Sequence, residues 1–134
     1  VAFPDGSSVG IRQFHGLPLI LPTPQHGLRK MVDLHAKAHG AKLDVEFELD
    51  SLDAMISLVR DNLGMTILPE SAVRSELTAG VLRSWRIDSP SLIRPLVVAT
   101  GTQRGESIDA RDVAMLLKSM VQSHANNAGW DIPD

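Results

Sequence analysis

The sequence predicts an α/β fold, with a mostly parallel sheet flanked by helices. Short apolar or alternating segments typical of strands are separated by segments of about 10 to 15 residues that carry helical periodicity. Strands that alternate with helices in this way form right-handed βαβ units in a parallel sheet. The chain has 134 residues, 43% of them hydrophobic and 22% charged, which is enough for one compact core.

The first half of the chain alternates strands and helices most clearly. Apolar runs closed by proline and strictly alternating segments predict strands, while apolar residues at helical spacing predict the helices between them. Glycine ends each helix, and we expect Gly64 to do so in a left-handed turn. The predicted elements are a strand at 17–21, a helix at 25–39, a strand at 43–49, a helix from Asp50 or Ser51 to Gly64, and a strand at 65–68.

The second half is predicted to hold shorter elements and one long helix. Pro90 and Pro95 interrupt the apolar segments there, as expected for outer or edge strands. The final helix is indicated by an apolar stripe at helical spacing, formed by Val113, Leu116, Leu117, Met120 and Val121. The predicted elements are a short helix at 70–77, strands at 81–87 and 92–100, and a helix at 107–121.

Composition separates the two ends of the chain from its centre. The start is rich in Gly, Ser and Pro and has no sustained periodicity, which indicates a connector, and the end is expected to fray. Because the start has neither an initiator Met nor the pattern of a signal peptide, we expect a piece of a longer protein. The predicted parts are a connector at 1–16, a first structured part at 17–90, a second at 91–122 and a tail at 123–134.

Charge and composition exclude several function classes. The net charge is −3 without a basic stripe, so we expect no nucleic-acid binding by this piece alone. The chain has no cysteine, which rules out disulfides and thiolate metal sites. No apolar run approaches the roughly 20 residues of a membrane-spanning helix, so we predict no membrane contact.

Polar residues follow the strands where parallel sheets bind ligands, beyond the carboxyl ends. Free N–H groups at helix N-termini and neighbouring hydroxyls there suit a carboxylate, sulfate or phosphate. Asp50 fits an anion poorly and indicates a polar or cationic group, or a positioning role. The predicted ligand-binding residues are Pro22, Thr23, Pro24, Gln25, His26, Asp50, Ser51 and Thr66.

Each of these residues also has a purely structural interpretation. Thr23 and Ser51 can cap helices, and Thr66 can satisfy a neighbouring backbone group. His35 and His39 have the i, i+4 spacing of a zinc pair, but no glutamate base or third ligand accompanies them. The chain also lacks a nucleophile elbow and a phosphate-binding glycine motif. We therefore predict no metal, no cofactor and no catalytic residue.

The ordered segments together resemble the effector-binding domain of LysR-type transcriptional regulators over roughly residues 16–122. The resemblance is carried by Leu-Pro-Leu-Ile-Leu-Pro-Thr-Pro-Gln-His-Gly-Leu-Arg from residue 17, Glu-Leu-Asp-Ser-Leu-Asp-Ala from residue 48, and Asn-Leu-Gly-Met-Thr-Ile-Leu-Pro from residue 62. It continues through Gly-Val-Leu from residue 80 and Leu-Ile-Arg-Pro-Leu-Val from residue 92.

The resemblance implies two α/β lobes, as in periplasmic binding proteins, with a small effector bound between them. Residues 17–90 correspond to lobe two, and residues 91–122 to the strand and helix that return to lobe one, so the bilobal domain is incomplete. The lobe-two ligand contacts fall near residues 22–26, at Asp50 and Ser51, and at Thr66.

Further expectations concern partners and location. Family members dimerise through this domain, so the helix face with Leu28, Met31, Val32 and His35 is either core or contact surface. DNA is bound only through an N-terminal winged helix-turn-helix outside this sequence, and the location is the cytoplasm. The alternatives are a lobe of a periplasmic-type solute-binding protein and a fragment of an enzyme with a bilobal α/β fold.

Overall fold

The computed structural model describes residues 3–4, 6–88, 90–94, 97, 99 and 108–128, with the backbone alone at 108–110 and 126–128. The chain divides into two compact units, Val1–Ile93 and Arg94–Asp134. The first unit confirms the α/β architecture. Strand β1 (Pro18–Leu21) runs parallel to strand β2 (Asp44–Glu48), and the crossover between them is helix α1 (Gly27–Ala38).

Helix α1 covers one face of the β1–β2 sheet. His26 caps its first turn, because its Nδ1 accepts a hydrogen bond from the N–H of Leu28 at 3.2 Å. Leu28, Val32 and Ala36 are buried at helical spacing, so this side of α1 is core. Gly40 follows the helix, as the sequence predicted, and its φ of +63° is in the left-handed region.

Part of the predicted connector is packed into the core. A 3₁₀-helix is formed by Ile11–Phe14, and Val9, Ile11 and Phe14 are buried in the same core cluster as β1 and α1. The apolar residues of this segment follow neither the helical nor the strand period, so the periodicity criterion overlooked them. Within the part of the chain that the structure describes, residues 9–14 therefore belong to the core, whereas the sequence predicted only a connector at 1–16.

Helix α2 (Leu52–Arg60) leads to residues 65–68, which lie beside β1 on the side away from β2. The N–H of Met65 donates to the carbonyl of Pro18 at 2.9 Å, and the N–H of Ile20 donates to the carbonyl of Met65 at 2.8 Å. The expected third strand is thus reduced to one parallel bridge between Leu19 and Met65.

The expected left-handed turn at Gly64 is wrong. The residue with positive φ is Asn62, at 59°. Gly64 is needed for a different reason, since a Cβ there would lie 2.8 Å from the carbonyl oxygen of Pro18 and 3.1 Å from Ile20. The absence of a side chain at Gly64 lets residues 65–68 approach β1 closely.

The next predicted elements are partly corrected. The helix expected at 70–77 is a 3₁₀-helix at Glu70–Ala72 followed by helix α3 (Arg74–Thr78). The strand expected at 81–87 is absent from the described residues except for one parallel bridge, between Ile87 and Val9. The strand expected at 92–100 falls partly outside the described residues.

The second unit contains helix α4 (Ile108–Ala128). It is longer than predicted, because residues 123–128, which were expected to fray, are helical, while residues 129–134 lie outside the described part of the chain. The predicted apolar stripe is exposed, with Val113 at 56% and Leu116 at 61%. Within the described part of the chain, none of the helices is long and apolar enough to span a membrane.

Candidate functional site

The carboxyl ends of β1 and β2 are joined by a hydrogen-bonded pair of side chains. The Thr23 hydroxyl donates towards both oxygens of the Asp50 carboxylate, at 3.0 Å to Oδ1 and 2.8 Å to Oδ2. The Thr23 N–H also donates to Oδ1, at 3.0 Å. We call residues 22–26 together with residues 50–51 the strand-end corner.

The ionised form of Asp50 is stabilised within the corner. The hydrogen bond from the Thr23 hydroxyl, followed by the one from the Thr23 N–H, lowers the pKa of the Asp50 carboxyl. Desolvation opposes this change, and the nearby charge of His26 adds to it. Asp50 is therefore a carboxylate whose negative charge is held by donors of the preceding loop.

Two residues of the corner cap helices. Ser51 is the N-cap of α2, where its Oγ accepts a hydrogen bond from the N–H of Ala54 at 3.3 Å. His26 is the N-cap of α1, and its ring remains exposed. The capping interpretation is thus correct for Ser51, whereas Thr23 bonds to Asp50 instead.

Behind the corner, Arg29 ties the loop to both neighbouring elements. Its Nη1 donates to the carbonyl of Pro22 at 3.0 Å and to Glu48 Oε1 at 2.7 Å, and its Nε donates to Asp33 at 3.0 Å. The Arg29 side chain is 11% exposed. Burial is the largest influence on its pKa and lowers it, but the hydrogen bonds and charges of Glu48 and Asp33 outweigh burial and raise the pKa above its usual value.

Thr66 belongs to a second region. Its Oγ1 is buried and has no hydrogen-bond partner among the described residues, which is rare for a buried polar atom. It lines a cavity of about 400 Å³ with mainly apolar walls, which we call the Thr66 cavity. The other lining residues include Phe14, Ile67, Leu68, Glu70, Leu77, Leu82, Arg83, Trp85, Arg86, Ile87 and Leu92.

Aromatic residues form one end of the Thr66 cavity. The Phe3 ring lies edge-on to Phe14 and to Trp85, with centroid distances of 5.7 and 5.6 Å. The indole N–H of Trp85 donates to the carbonyl of Pro4 at 3.1 Å. These contacts hold the 81–87 segment against the N-terminal residues and so define the shape of the cavity.

The structure therefore separates the predicted site residues into two groups. Thr23, Asp50, His26 and Ser51 lie in the strand-end corner, with Pro22 buried beneath it and Pro24 and Gln25 exposed. Thr66 lines a cavity that none of these residues borders.

Sequence reasoning missed Arg29 and Trp85. The i, i+4 spacing of Arg29 and Asp33 could have indicated an ion pair. No local pattern indicates that Trp85 reaches Pro4.

His35 and His39 lie near the C-terminal end of α1, where both side chains are half-buried. Their ring centroids are 4.6 Å apart, and His39 Nδ1 lies 2.8 Å from the carbonyl oxygen of His35. His39 is the C-cap of the helix. Among the described residues, no group of three or more potential ligands is placed to hold a metal ion.

Comparison with known proteins identifies the family. Residues 2–122 match the model of the LysR substrate binding domain. The nitrogen assimilation regulatory protein nac of Escherichia coli (strain K12) is 28% identical over 120 residues, which cover 88% of this chain and 39% of that protein. A probable RuBisCO transcriptional regulator of Cyanophora paradoxa is 29% identical over 107 residues, covering 78% of this chain and 33% of the relative.

A third relative is named as an uncharacterized regulator. The HTH-type transcriptional regulator YeiE of Escherichia coli (strain K12) is 31% identical over 88 residues, or 66% of this chain and 30% of that protein. No solved structure matches. The chain thus spans between 30% and 39% of these relatives, all three of which are named as transcriptional regulators. The match over residues 2–122 shows that the chain belongs to the LysR substrate-binding domain family.

Proposed function

We propose that this chain is the effector-sensing part of a LysR-type transcriptional regulator that acts in the cytoplasm. It binds a small molecule and catalyses no reaction, and it controls transcription through a winged helix-turn-helix elsewhere in the same protein. The observation that carries the proposal is the strand-end corner. Two strand ends and the N-termini of α1 and α2 meet there, in a chain of this family.

The proposed ligand contacts are the corner and the hydroxyl of Thr66. At the corner, His26, Gln25 and Asp50 are exposed and can reach a ligand directly, while Pro22 shapes the loop from below. Thr66 offers a hydroxyl with no partner in the described part of the chain. The effector acts only through its different affinity for two arrangements of the protein, a coupling of about 1 to 3 kcal/mol.

The corner supports binding better than catalysis. Ser51 caps a helix, and the only base bonded to the Thr23 hydroxyl among the described residues is the Asp50 carboxylate, whose lowered pKa makes it a weak proton acceptor at neutral pH. In an enzyme that used this corner, Asp50→Asn or His26→Gln would abolish turnover. For a sensor, the same changes alter ligand affinity and no ligand is consumed.

A ligand screen followed by a DNA-binding assay tests the proposal. We expect some small polar molecules to raise the melting temperature of the chain, because a ligand that binds only the native state stabilises it. The same molecules are expected to change the affinity of the intact regulator for its operator. Chemical conversion of a hit, or hits that leave DNA binding unchanged, would contradict the proposed function.

We also propose that the intact domain self-associates, as the family resemblance implies. The buried positions of Leu28 and Val32 assign that side of α1 to the core, so contact with another copy needs other surfaces. Exposed apolar side chains on α4, including Met115 at 63% and Met120 at 51%, support such contact. Light scattering of the intact domain over a concentration series is expected to show a dimer. A monomer at every concentration would contradict the proposed self-association.

A further inference from the structure

The strand-end corner resembles an anion-binding arrangement in which the chain itself supplies the anion. The hydroxyl and the N–H of Thr23 point to one place, and the Asp50 carboxylate occupies it. These are the donors that would otherwise receive a carboxylate, sulfate or phosphate. Both are already used, and by a group that is fully charged above the ordinary pKa range of aspartate.

The surroundings of Thr23 also disfavour an anionic ligand. The largely buried guanidinium of Arg29 donates to Glu48, Asp33 and the carbonyl of Pro22. Asp53 adds another carboxylate in the first turn of α2, where a bound anion would otherwise gain from the helix dipole. An anionic ligand at Thr23 would therefore have to displace Asp50 and would find no uncommitted cation in Arg29.

We propose that Asp50 determines specificity by excluding anionic groups from the corner, so that the effector presents a hydrogen-bond donor or a cation to it. A carboxylate has about four lone-pair positions, and Thr23 offers it two donors, the N–H and a single hydroxyl hydrogen directed between the two oxygens. The remaining positions are accessible because Asp50 is exposed. This inference rests on the proposed function, since it describes which ligand the proposed site accepts.

Sulfate is the probe that tests the exclusion. The amide resonance of Thr23 is followed by nuclear magnetic resonance while chloride is replaced by sulfate at constant ionic strength. We compare the wild-type chain with Asp50→Ser, which frees the Thr23 donors, and with Asp50→Asn, which removes the charge and keeps the shape. The matched control is Asp53→Asn, which removes an equal charge from the same helix start without touching Thr23.

We expect sulfate to bind Asp50→Ser saturably at Thr23, at least about tenfold more tightly than the wild type or Asp53→Asn. Asp50→Asn is expected to lie between them, because its amide oxygen still accepts from Thr23. If Asp50→Ser fails to fold, the sulfate affinity of Asp50→Asn is compared with that of Asp53→Asn, and a higher affinity in Asp50→Asn supports the inference. Equal sulfate affinity in the wild type and the Asp50 variants, or equal gains from Asp50 and Asp53 changes, would overturn the inference.

The outcome is separable from that of the proposed function. Sulfate is only a probe, so its exclusion can be measured even if the effector screen finds no ligand. An effector that binds Thr23 through an anionic group would overturn the role of Asp50 and leave the sensing function intact.

Discussion

Two threonines that sequence reasoning placed in the same kind of site have opposite surroundings. At the strand-end corner, Thr23 gives both its N–H and its hydroxyl to Asp50. In the Thr66 cavity, the buried hydroxyl of Thr66 has no partner within the described residues. Buried polar groups are normally hydrogen-bonded. The donors of Thr23 are therefore already satisfied by Asp50, whereas the hydroxyl of Thr66 can still form a hydrogen bond.

We expect the largest loss of stability from a substitution that moves residues 65–68, which form one wall of the Thr66 cavity, away from β1. In Gly64→Ala, the new Cβ would lie 2.8 Å from the carbonyl oxygen of Pro18, so residues 65–68 must move away from β1. We expect a loss of about 2 to 3 kcal/mol in the free energy of unfolding, measured by urea denaturation. The amide resonances of residues 65–68 should shift more than those of residues 22–26.

Gly27→Ala is the matched control, because a Cβ at Gly27 meets nothing within 4 Å. It is expected to change the free energy of unfolding by less than about 0.5 kcal/mol. Similar losses in the two variants would show that the close approach at Gly64 does not control the position of residues 65–68.

The next largest loss of stability is expected from a substitution behind the strand-end corner. Arg29→Met removes the donors that hold the Pro22 carbonyl, Glu48 and Asp33 while keeping an unbranched apolar stem. Because the guanidinium is largely buried and its partners are half exposed, we expect a loss of about 1 to 2 kcal/mol in urea denaturation. Lys30→Met, at an exposed neighbouring position, should have almost no effect. Equal losses would mean that the Arg29 bonds contribute nothing to stability.

Thr66→Val tests the effect of the buried Thr66 hydroxyl, which has no hydrogen-bond partner among the described residues. Valine has nearly the same shape and removes a buried polar atom that has no partner, so we expect a gain of about 0.5 to 1 kcal/mol in unfolding free energy. Thr23→Val is the opposite case, since it breaks the bonds to Asp50 and should destabilise the chain. A loss of stability in Thr66→Val would show that the hydroxyl does have a partner in solution.

The smallest effect is a pH dependence at Asp50. Thr23→Val removes the hydroxyl bonds that lower the Asp50 pKa, so that pKa should rise towards the ordinary aspartate value of about 3.9. A depressed folded-state pKa stabilises the protein above the unfolded value. The stability difference between wild type and Thr23→Val should therefore be complete at neutral pH and shrink as the pH falls through the lowered pKa. Carboxyl ¹³C resonances followed against pH provide the measurement, and an unchanged Asp50 pKa would contradict the hydrogen-bond origin.

The contrast between the two regions also shows what the sequence could predict. Helix α1 was predictable because Leu28, Val32 and Ala36 recur at helical spacing and Gly40 provides a left-handed end. The bond between Thr23 and Asp50 was not, because it joins residues 27 positions apart through the register of two strands. The same limit applies to the burial of α4, where Leu116 continues the apolar pattern yet is 61% exposed. Periodicity predicts an element, but it does not predict which surface covers that element.

The most direct test of the account follows both threonines at once. With a ligand from the effector screen, ¹³C-methyl threonine resonances report on Thr23 and Thr66, and Thr78 serves as an internal control because its hydroxyl bonds to Arg74 within α3. We predict that the Thr23 and Thr66 methyl resonances shift with one shared dissociation constant, while Thr78 stays in place. Saturation that leaves either the Thr23 or the Thr66 methyl resonance in place would contradict the prediction that one bound effector contacts both.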